Sequence, residues 1–528
     1  MKHGKGMDMR KRNIAAGILA GVLIMVGGQH VWASTVHYND SSATGGSEEW
    51  KQWMADWNQT SADFTNVSLT PGGAASELNF AWYSEGNAPT PVVYFGTDKD
   101  NLQAWNGAAN GVDPSLTDGK AYSYNYVTVD GLKENTTYYY SVEKSGVRTP
   151  AEVYKTGSFE NVKILYVGDP QVGASKGQPQ GEGKLSAASG AANTAARNDG
   201  FAWDRTLDKA LEQNPDLNFV ISAGDQVNKT GKPKEEEYAA YLSASALKGL
   251  PVATTIGNHD SLNKDYSYHF NNPNPTNLGM TEAGGDYYYS YGSGLFIVLN
   301  TNNYNVAEHE QSIQKAIANF PDTKWRIVTI HQDIYGSGLD HSDTDGMILR
   351  TQLTPVFDKY DIDVVLQGHD HTYSRSKILY GDGKAHGAYE FRLDETGQDY
   401  DWDHAYNKNT GDSITLNPDE ADTAAVDAKN GFTADNKCYT IESSGKSVVT
   451  NPKGTLYMTA NSASGSKYYE LINSQQDYIE TRSQNWLPSY SVINLSENDF
   501  KITTYQITDE GKVENIDKTF TIHKTTGR

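Results

Sequence analysis

The chain has 528 residues, too long for one ordinary hydrophobic core, so two or more domains are expected. Its 44 Lys and Arg stand against 66 Asp and Glu, and a net charge of −22 disfavours any general nucleic-acid or anionic-membrane partner. Cys438 is the only cysteine, which excludes an internal disulfide and any multi-thiolate metal site.

Residues 1–33 read as a signal peptide. Lys2, Lys5, Arg10, Lys11 and Arg12 form a basic start, Ile14 to Val26 is apolar, and Val31-Trp32-Ala33 precedes Ser34 as a small-residue cleavage site would. The apolar run is shorter than the ~20 residues a membrane span needs, and an uncleaved N-terminal anchor is the rival reading. Removal of the segment takes away five basic residues and one acidic residue, leaving 39 against 65 and a net charge of −26. The mature protein is expected to be secreted or held at the cell surface, outside the cytoplasm.

Residues 34–61 are polar, with Trp50, Trp53 and Trp57 at spacings that suit a short helix packed on the body. Residues 62–157 predict an all-β domain. Short alternating runs such as Leu78–Trp82 and Val92–Phe95 sit between Gly, Asn and Asp turns, and Leu132–Tyr140 resembles the tyrosine-corner segment of fibronectin type III sandwiches. No catalytic chemistry is visible there, and a packing or presentation module is the reading adopted.

From residue 162 the pattern becomes strand then helix. Strands are expected over Val162–Val167, Leu217–Ala223, Val252–Ile256, Leu295–Asn300, Arg326–Ile330 and Asp363–Leu366. Helices are expected over Phe201–Gln213, Glu235–Leu247, Glu308–Ala318 and Met347–Tyr360. This alternation predicts an α/β layered domain over 162–525, with ligands beyond the carboxyl ends of its strands. Two segments interrupt it. Residues 174–200 are rich in Gly, Ser, Ala and Gln, as a surface loop or a flap would be. Residues 376–450 form an acidic insertion in which Asp399, Asp401 and Asp403 open like a calcium loop. His404 replaces the required Gly and Thr410 the final Glu, so calcium is not expected. The runs Tyr490–Leu495, Phe500–Tyr505 and Asp517–His523 are expected to finish a sheet as antiparallel strands.

Five strings carry the chemistry. They are Gly168-Asp169-Pro170-Gln171, Gly224-Asp225, Gly257-Asn258-His259-Asp260, His331 after Ile327–Ile330, and Gly368-His369-Asp370-His371. Each follows a hydrophobic run. One Gly-Asp is ordinarily a turn; five such strings in series supply mixed oxygen and nitrogen ligands, and a carboxylate able to bridge two cations.

In their order and spacing the strings resemble the calcineurin-like metallophosphoesterases, and with the preceding sandwich they are similar to the purple acid phosphatase branch. The resemblance implies a fibronectin III-like sandwich followed by a four-layer α/β metallophosphoesterase domain, covering roughly 62–525. It implies two metal ions, divalent or mixed-valence, drawn from Fe, Mn and Zn. Asp169 and His371 would hold the first, Asn258, His331 and His369 the second, and Asp225 would bridge them. His259 would face the substrate as an acid, with Asp260 orienting it. His341 falls where such enzymes keep a substrate-binding histidine; it reads equally as a solvated loop residue beside Asp340 and Asp343.

Two departures stand out. The purple enzymes place a tyrosine three residues after the bridging aspartate, whose charge transfer to ferric iron gives the colour; Asn228 stands here. Other relatives carry a histidine two residues after the first aspartate, where this chain has Gln171, whose amide oxygen is a weaker candidate ligand. The implied activity is hydrolysis of small phosphate monoesters by a hydroxide shared between the metals. The alternatives are a phosphodiesterase or nucleotidase using the same site, or a surface-binding protein whose hydrolase domain is vestigial. Oligomeric state is not legible.

Overall fold

The computed structural model describes residues 48–86, 90–175, 192–339, 341–342, 345–397 and 400–525. The expected signal peptide, most of the Gly- and Ser-rich stretch, and Asp340, Asp343 and Asp399 lie outside the described residues. The tryptophan segment is a helix, Glu48–Thr60, that buries Trp50 and Trp57. The Trp50 ring meets the Phe201 ring edge-on at 5.0 Å, and the Trp53 indole donates to the Arg197 carbonyl at 2.9 Å.

The next domain is a β-sandwich. One sheet orders Ser68–Pro71, Leu78–Glu85, Tyr122–Val129 and Ala108–Gly111. The other is built on Val92–Gly96 and Thr137–Lys144. Phe80, Trp82, Val93, Phe95 and Tyr140 fill the space between them. The Tyr138 hydroxyl reaches back to accept the Lys133 N–H at 2.8 Å, a tyrosine-corner contact. The sandwich docks through polar groups: the Tyr83 hydroxyl donates to Glu235 at 3.1 Å, and Tyr140 to the Lys248 carbonyl at 2.8 Å.

The second domain has four layers. A seven-stranded sheet orders Val252–Thr254, Phe219–Ser222, Val162–Val167, Ser489–Leu495, Asp499–Ile507, Val513–His523 and Val448–Thr450. The facing sheet runs Tyr287–Tyr291, Gly294–Val298, Trp325–Thr329, Val364–Gln367, Thr455–Thr459, Tyr373–Gly381 and Tyr439–Ser443, with Ile479–Ser483 beside Tyr373–Gly381. Side-chain period two assigns the layers. Ile164, Tyr166, Phe219, Ile221, Phe296, Ile327, Val364 and Leu366 point into the space between the sheets. Their neighbours turn outward: Leu165, Val167 and Val220 to one flank, Ile297, Val328 and Val365 to the other. Helices Ala192–Gln213 and Glu235–Leu242 cover the first flank, Val306–Asn319 and Arg350–Lys359 the second. Strands buried on both faces read as continuous apolar runs, which is why the sequence exposes them.

The insertion is smaller than expected. Residue 376 lies inside a strand, Tyr373–Gly381, and the stretch 376–450 also supplies Tyr439–Ser443 and Val448–Thr450 to the two sheets. Only its middle, with a small sheet and the helix Thr423–Asp435, stands outside them. Its Asp401 carboxylate is engaged by His404 at 3.0 Å and Tyr406 at 3.0 Å.

Candidate metal centre

All five strings lie at the carboxyl ends of parallel strands drawn from both sheets. Asp169 follows Val162–Val167, Asp225 follows Phe219–Ser222 and Asn258 follows Val252–Thr254, all parallel neighbours. His331 follows Trp325–Thr329 and His369 follows Val364–Gln367 in the other sheet. Backbone bonds lace the turns together: Gln171 N–H to the Asp225 carbonyl (2.8 Å), Gly368 N–H to the His331 carbonyl (2.9 Å), and His369 N–H to the Asp169 carboxylate (2.9 Å).

The turns are tight and strained. Asp169, Gln171, Asp225, His369 and His371 all have positive φ, between 20° and 69°. Such conformations cost of order 1–3 kcal/mol each and collect at functional sites. Gly224 (φ 111°) is required twice over, because a Cβ there would sit 2.3 Å from His331 Nδ1. A Cβ at Gly257 would fall 2.0 Å from an Asp225 oxygen.

The donor atoms converge. Ligand atoms of Asp225, His331 and His369 lie within 4.8 Å of one another, all buried. His331 Nε2 is 2.9 Å from Asn258 Oδ1, 3.2 Å from His369 Nδ1 and 3.4 Å from Asp225 Oδ2. Its other nitrogen, Nδ1, donates to the Ala223 carbonyl at 2.8 Å, which aims Nε2 into the cluster. The second group is Asp169 with His371, whose Nε2 and Oδ2 lie 3.3 Å apart. His371 Nδ1 donates to the Lys467 carbonyl at 2.9 Å, so Nε2 presents its lone pair to the carboxylate.

A cation fits this arrangement. Burial, together with the charge of Lys467, pushes the His371 ring well below the usual imidazole range, so it is neutral and its contact with Asp169 is no ion pair. Two acceptors therefore face each other, and Asp169 Oδ2 is buried with no hydrogen-bond donor. Gln171 turns its amide nitrogen to Asn228 Oδ1 at 3.4 Å, which leaves its Oε1 buried and equally unpartnered. Burial raises the Asp169 carboxyl; Asp225 is also raised by burial, but His331 and His259 outweigh that and hold it below the usual carboxylate range. Burial lowers His331, and the Asp225 carboxylate more than reverses it. Unmet buried oxygens next to imidazole nitrogens are what metal ligands look like without their ion.

Around this cluster the predicted substrate-side residues separate. His259 is partly exposed; its Nδ1 meets the Asn228 carbonyl and its Nε2 lies 3.9 Å from Asp225 Oδ2. Asp260, the residue expected to orient it, has hydrogen bonds of its own. Its carboxylate caps the one-turn helix Asn258–Ser261 by accepting the Gly257 N–H (3.0 Å) and takes Gln226 Nε2 (3.0 Å). His341 does reach the centre, its ring 4.0 Å from that of His369. Asp370 holds the His341 loop, accepting Ser337 N–H at 3.0 Å and the Ser342 hydroxyl at 2.6 Å.

Sequence reasoning missed three neighbours. Trp402 stands 5.8 Å from the His369 ring, Tyr469 stands 5.4 Å from the His371 ring, and Lys467 supplies the carbonyl to His371. The last two sit on the loop after Thr455–Thr459, a sixth apolar run followed by the small residues Ala460–Ser466. That strand-then-loop signal was available, but the loop holds no metal-ligand side chain to flag it. The histidines without a predicted role are structural where described: His269 pairs with Glu235 at 2.6 Å and His309 with Asp286 at 2.9 Å.

Residues 162–373 match the family described as Calcineurin-like phosphoesterase, and residues 64–159 match the Purple acid Phosphatase, N-terminal domain. Purple acid phosphatase 23 of Arabidopsis thaliana is 23% identical over 299 residues, 48% of this chain and 58% of that protein. The Fe(3+)-Zn(2+) purple acid phosphatase 12 of the same plant is 41% identical over 59 residues, 11% of this chain and 12% of that one. The matched stretches span between 12% and 58% of the curated relatives' lengths. In fold, the chain is similar to purple acid phosphatase PPD1 from yellow lupin seeds, with a TM-score of 0.57 and 14% identity over 87% of this chain and 75% of that one. The chain thus carries a calcineurin-like phosphoesterase domain preceded by a purple acid phosphatase N-terminal domain.

Proposed function

We propose that the protein is an exported, metal-dependent phosphatase that hydrolyses small phosphate monoesters. The observation carrying this reading is the pair of unpartnered buried oxygens, on Asp169 and Gln171, set beside imidazole nitrogens and the low-lying Asp225 carboxylate. Asp169, Gln171 and His371 would hold one ion, Asn258, His331 and His369 the other, with Asp225 shared. When bound, such ions act as Lewis acids and bring the ionisation of water near neutral pH.

The chain's own residues do the rest. The Ala223 and Lys467 carbonyls fix the tautomers of His331 and His371, so that both rings face the site with a lone pair available once any proton is displaced. His259 is partly exposed, with Nδ1 anchored on the Asn228 carbonyl. That leaves Nε2 to carry a proton, for delivery to the leaving-group oxygen. Export is supported by the basic start, apolar run and Val31-Trp32-Ala33 of the leading segment.

The test is metal analysis of purified protein alongside turnover of 4-nitrophenyl phosphate and bis(4-nitrophenyl) phosphate. Two ions per chain and preference for the monoester are expected. A metal-replete protein that cleaves neither ester overturns the reading, and one that prefers the diester overturns the monoester assignment. Protein recovered outside the cytoplasm should begin at Ser34; an intact leader there would refute cleavage.

A further inference from the structure

Lys467 is not among the residues that a ligand count selects, yet it is held beside the centre from several directions. The loop that carries it is bound to the first aspartate's turn: Ala463 N–H donates to the Gly168 carbonyl (3.0 Å), the Ser462 hydroxyl to the Asp169 carbonyl (3.2 Å), and the Ser466 hydroxyl to the Pro170 carbonyl (3.3 Å). Its own carbonyl takes the His371 ring. Its ammonium lies 4.7 Å over the Tyr469 ring, and that ring meets His341 edge-on at 4.8 Å and His371 edge-on at 5.4 Å. Gln484 Nε2 ties the backbone of both sides, donating to the His371 and Tyr469 carbonyls at 2.7 Å each.

The charge is what calls for an explanation. Among the described residues this ammonium has no carboxylate partner, although the protein carries many more acidic than basic groups. It lies near enough to the His371 ring and the Asp169 carboxyl to act on both electrostatically. A cation kept without a counter-ion at the rim of an acidic centre favours an anion that arrives from solution.

We propose that Lys467 is a substrate-binding residue that receives the second negative charge of a phosphomonoester dianion, and so selects monoesters over singly charged diesters. The inference rests on the phosphatase reading above and names what sets its specificity. Lysine suits the task as a compact point charge with three donors, reaching from a rigid loop past the Tyr469 face. A diester has no second charge to offer and gains little from the contact.

The experiment compares wild-type protein with Lys467→Gln and Lys467→Arg, all metal-loaded, on 4-nitrophenyl phosphate and bis(4-nitrophenyl) phosphate. Binding of inorganic phosphate is measured by calorimetry and metal content by elemental analysis. The backbone carbonyl that holds His371 survives both changes, so metal content should not move. Loss of a charge-assisted contact predicts roughly a tenfold to hundredfold rise in monoester KM for Lys467→Gln, with an equal loss in phosphate affinity. Diester KM should change by less than about threefold, since a singly charged ester has no second charge for the lysine to meet and loses only a solvent-screened attraction. Lys467→Arg should recover most of the monoester effect. Equal effects on both esters, unchanged phosphate affinity, or loss of metal from Lys467→Gln would each overturn the inference. Because phosphate binding needs no turnover, it decides the role of Lys467 even if the metal-loaded protein cleaves neither ester.

Discussion

Replacement of Asp225 by Asn is the sharpest perturbation of the centre. The Asp225 side chain is buried; its Oδ1 accepts the His259 N–H at 2.9 Å and its Oδ2 lies 3.4 Å from His331 Nε2. An Asn oxygen can still accept that N–H, so the turn should survive. Converting one charge-assisted hydrogen bond to a neutral one costs about 1 kcal/mol, and removing the carboxylate beside the buried His331 ring adds about 3 kcal/mol or more to the metal-free protein's loss. Metal retention is another matter. The ligand atoms of Asp225, His331 and His369 lie within 4.8 Å of one another, so any cation they share feels the carboxylate at close range. Two unit charges ~4 Å apart at an effective dielectric constant of ~20 interact by about 4 kcal/mol, which is about a thousandfold in a dissociation constant. The assay is elemental analysis after dialysis against a weak chelator, with turnover and thermal unfolding on the same samples. Loss of at least one ion, a fall in turnover of several orders of magnitude and a lower but still cooperative metal-free midpoint are expected. An Asp225→Asn protein that keeps two ions and wild-type turnover would refute the bridging role.

Replacing His259 with Ala should leave metal content intact and slow hydrolysis roughly 10²–10⁴-fold. The loss should be smaller for 4-nitrophenyl phosphate than for an alkyl phosphate, whose leaving oxygen needs the proton more; equal losses, or a lost metal, would show His259 is not that acid. Iron-loaded protein should lack a strong visible band, because Asn228 replaces the tyrosine and the Tyr373 hydroxyl is tied to Asp517 at 2.7 Å. A purple preparation would contradict this and point to Tyr469 as the residue to replace next. His309 provides the pH prediction. Burial lowers it, but the Asp286 charge and hydrogen bond more than reverse this, so its folded pKa is raised. Its stabilisation is then fully present below the unfolded imidazole value of ~6.5 and is lost as pH rises through the folded value. His309→Gln should therefore lower the unfolding midpoint more at pH 6 than at pH 9, and a pH-independent difference would exclude the charged pair with Asp286.

What the sequence determined by itself was the set of strand-end turns. Asp169, Asp225, Asn258, His331 and His369 each follow a run such as Val162–Val167 or Val364–Gln367 that is apolar because both faces of the strand are buried. A local pattern of that kind needs no knowledge of distant residues. Strand ends beyond this were less legible: Tyr287–Tyr291 and Tyr373–Gly381 mix aromatic, polar and charged residues, so neither period nor composition announces them. Only the tertiary structure decided which way Asp260 faces, since the cap on Gly257 and the Gln226 contact set its direction. The same holds for the neighbours Trp402, Lys467 and Tyr469. Each meets a histidine 33 or more residues earlier or 96 or more residues away through the packing of two sheets, and no spacing along the chain encodes that approach. Ligand-bearing turns are written locally, whereas the walls around them come from whichever loops the sheet order brings to the same edge.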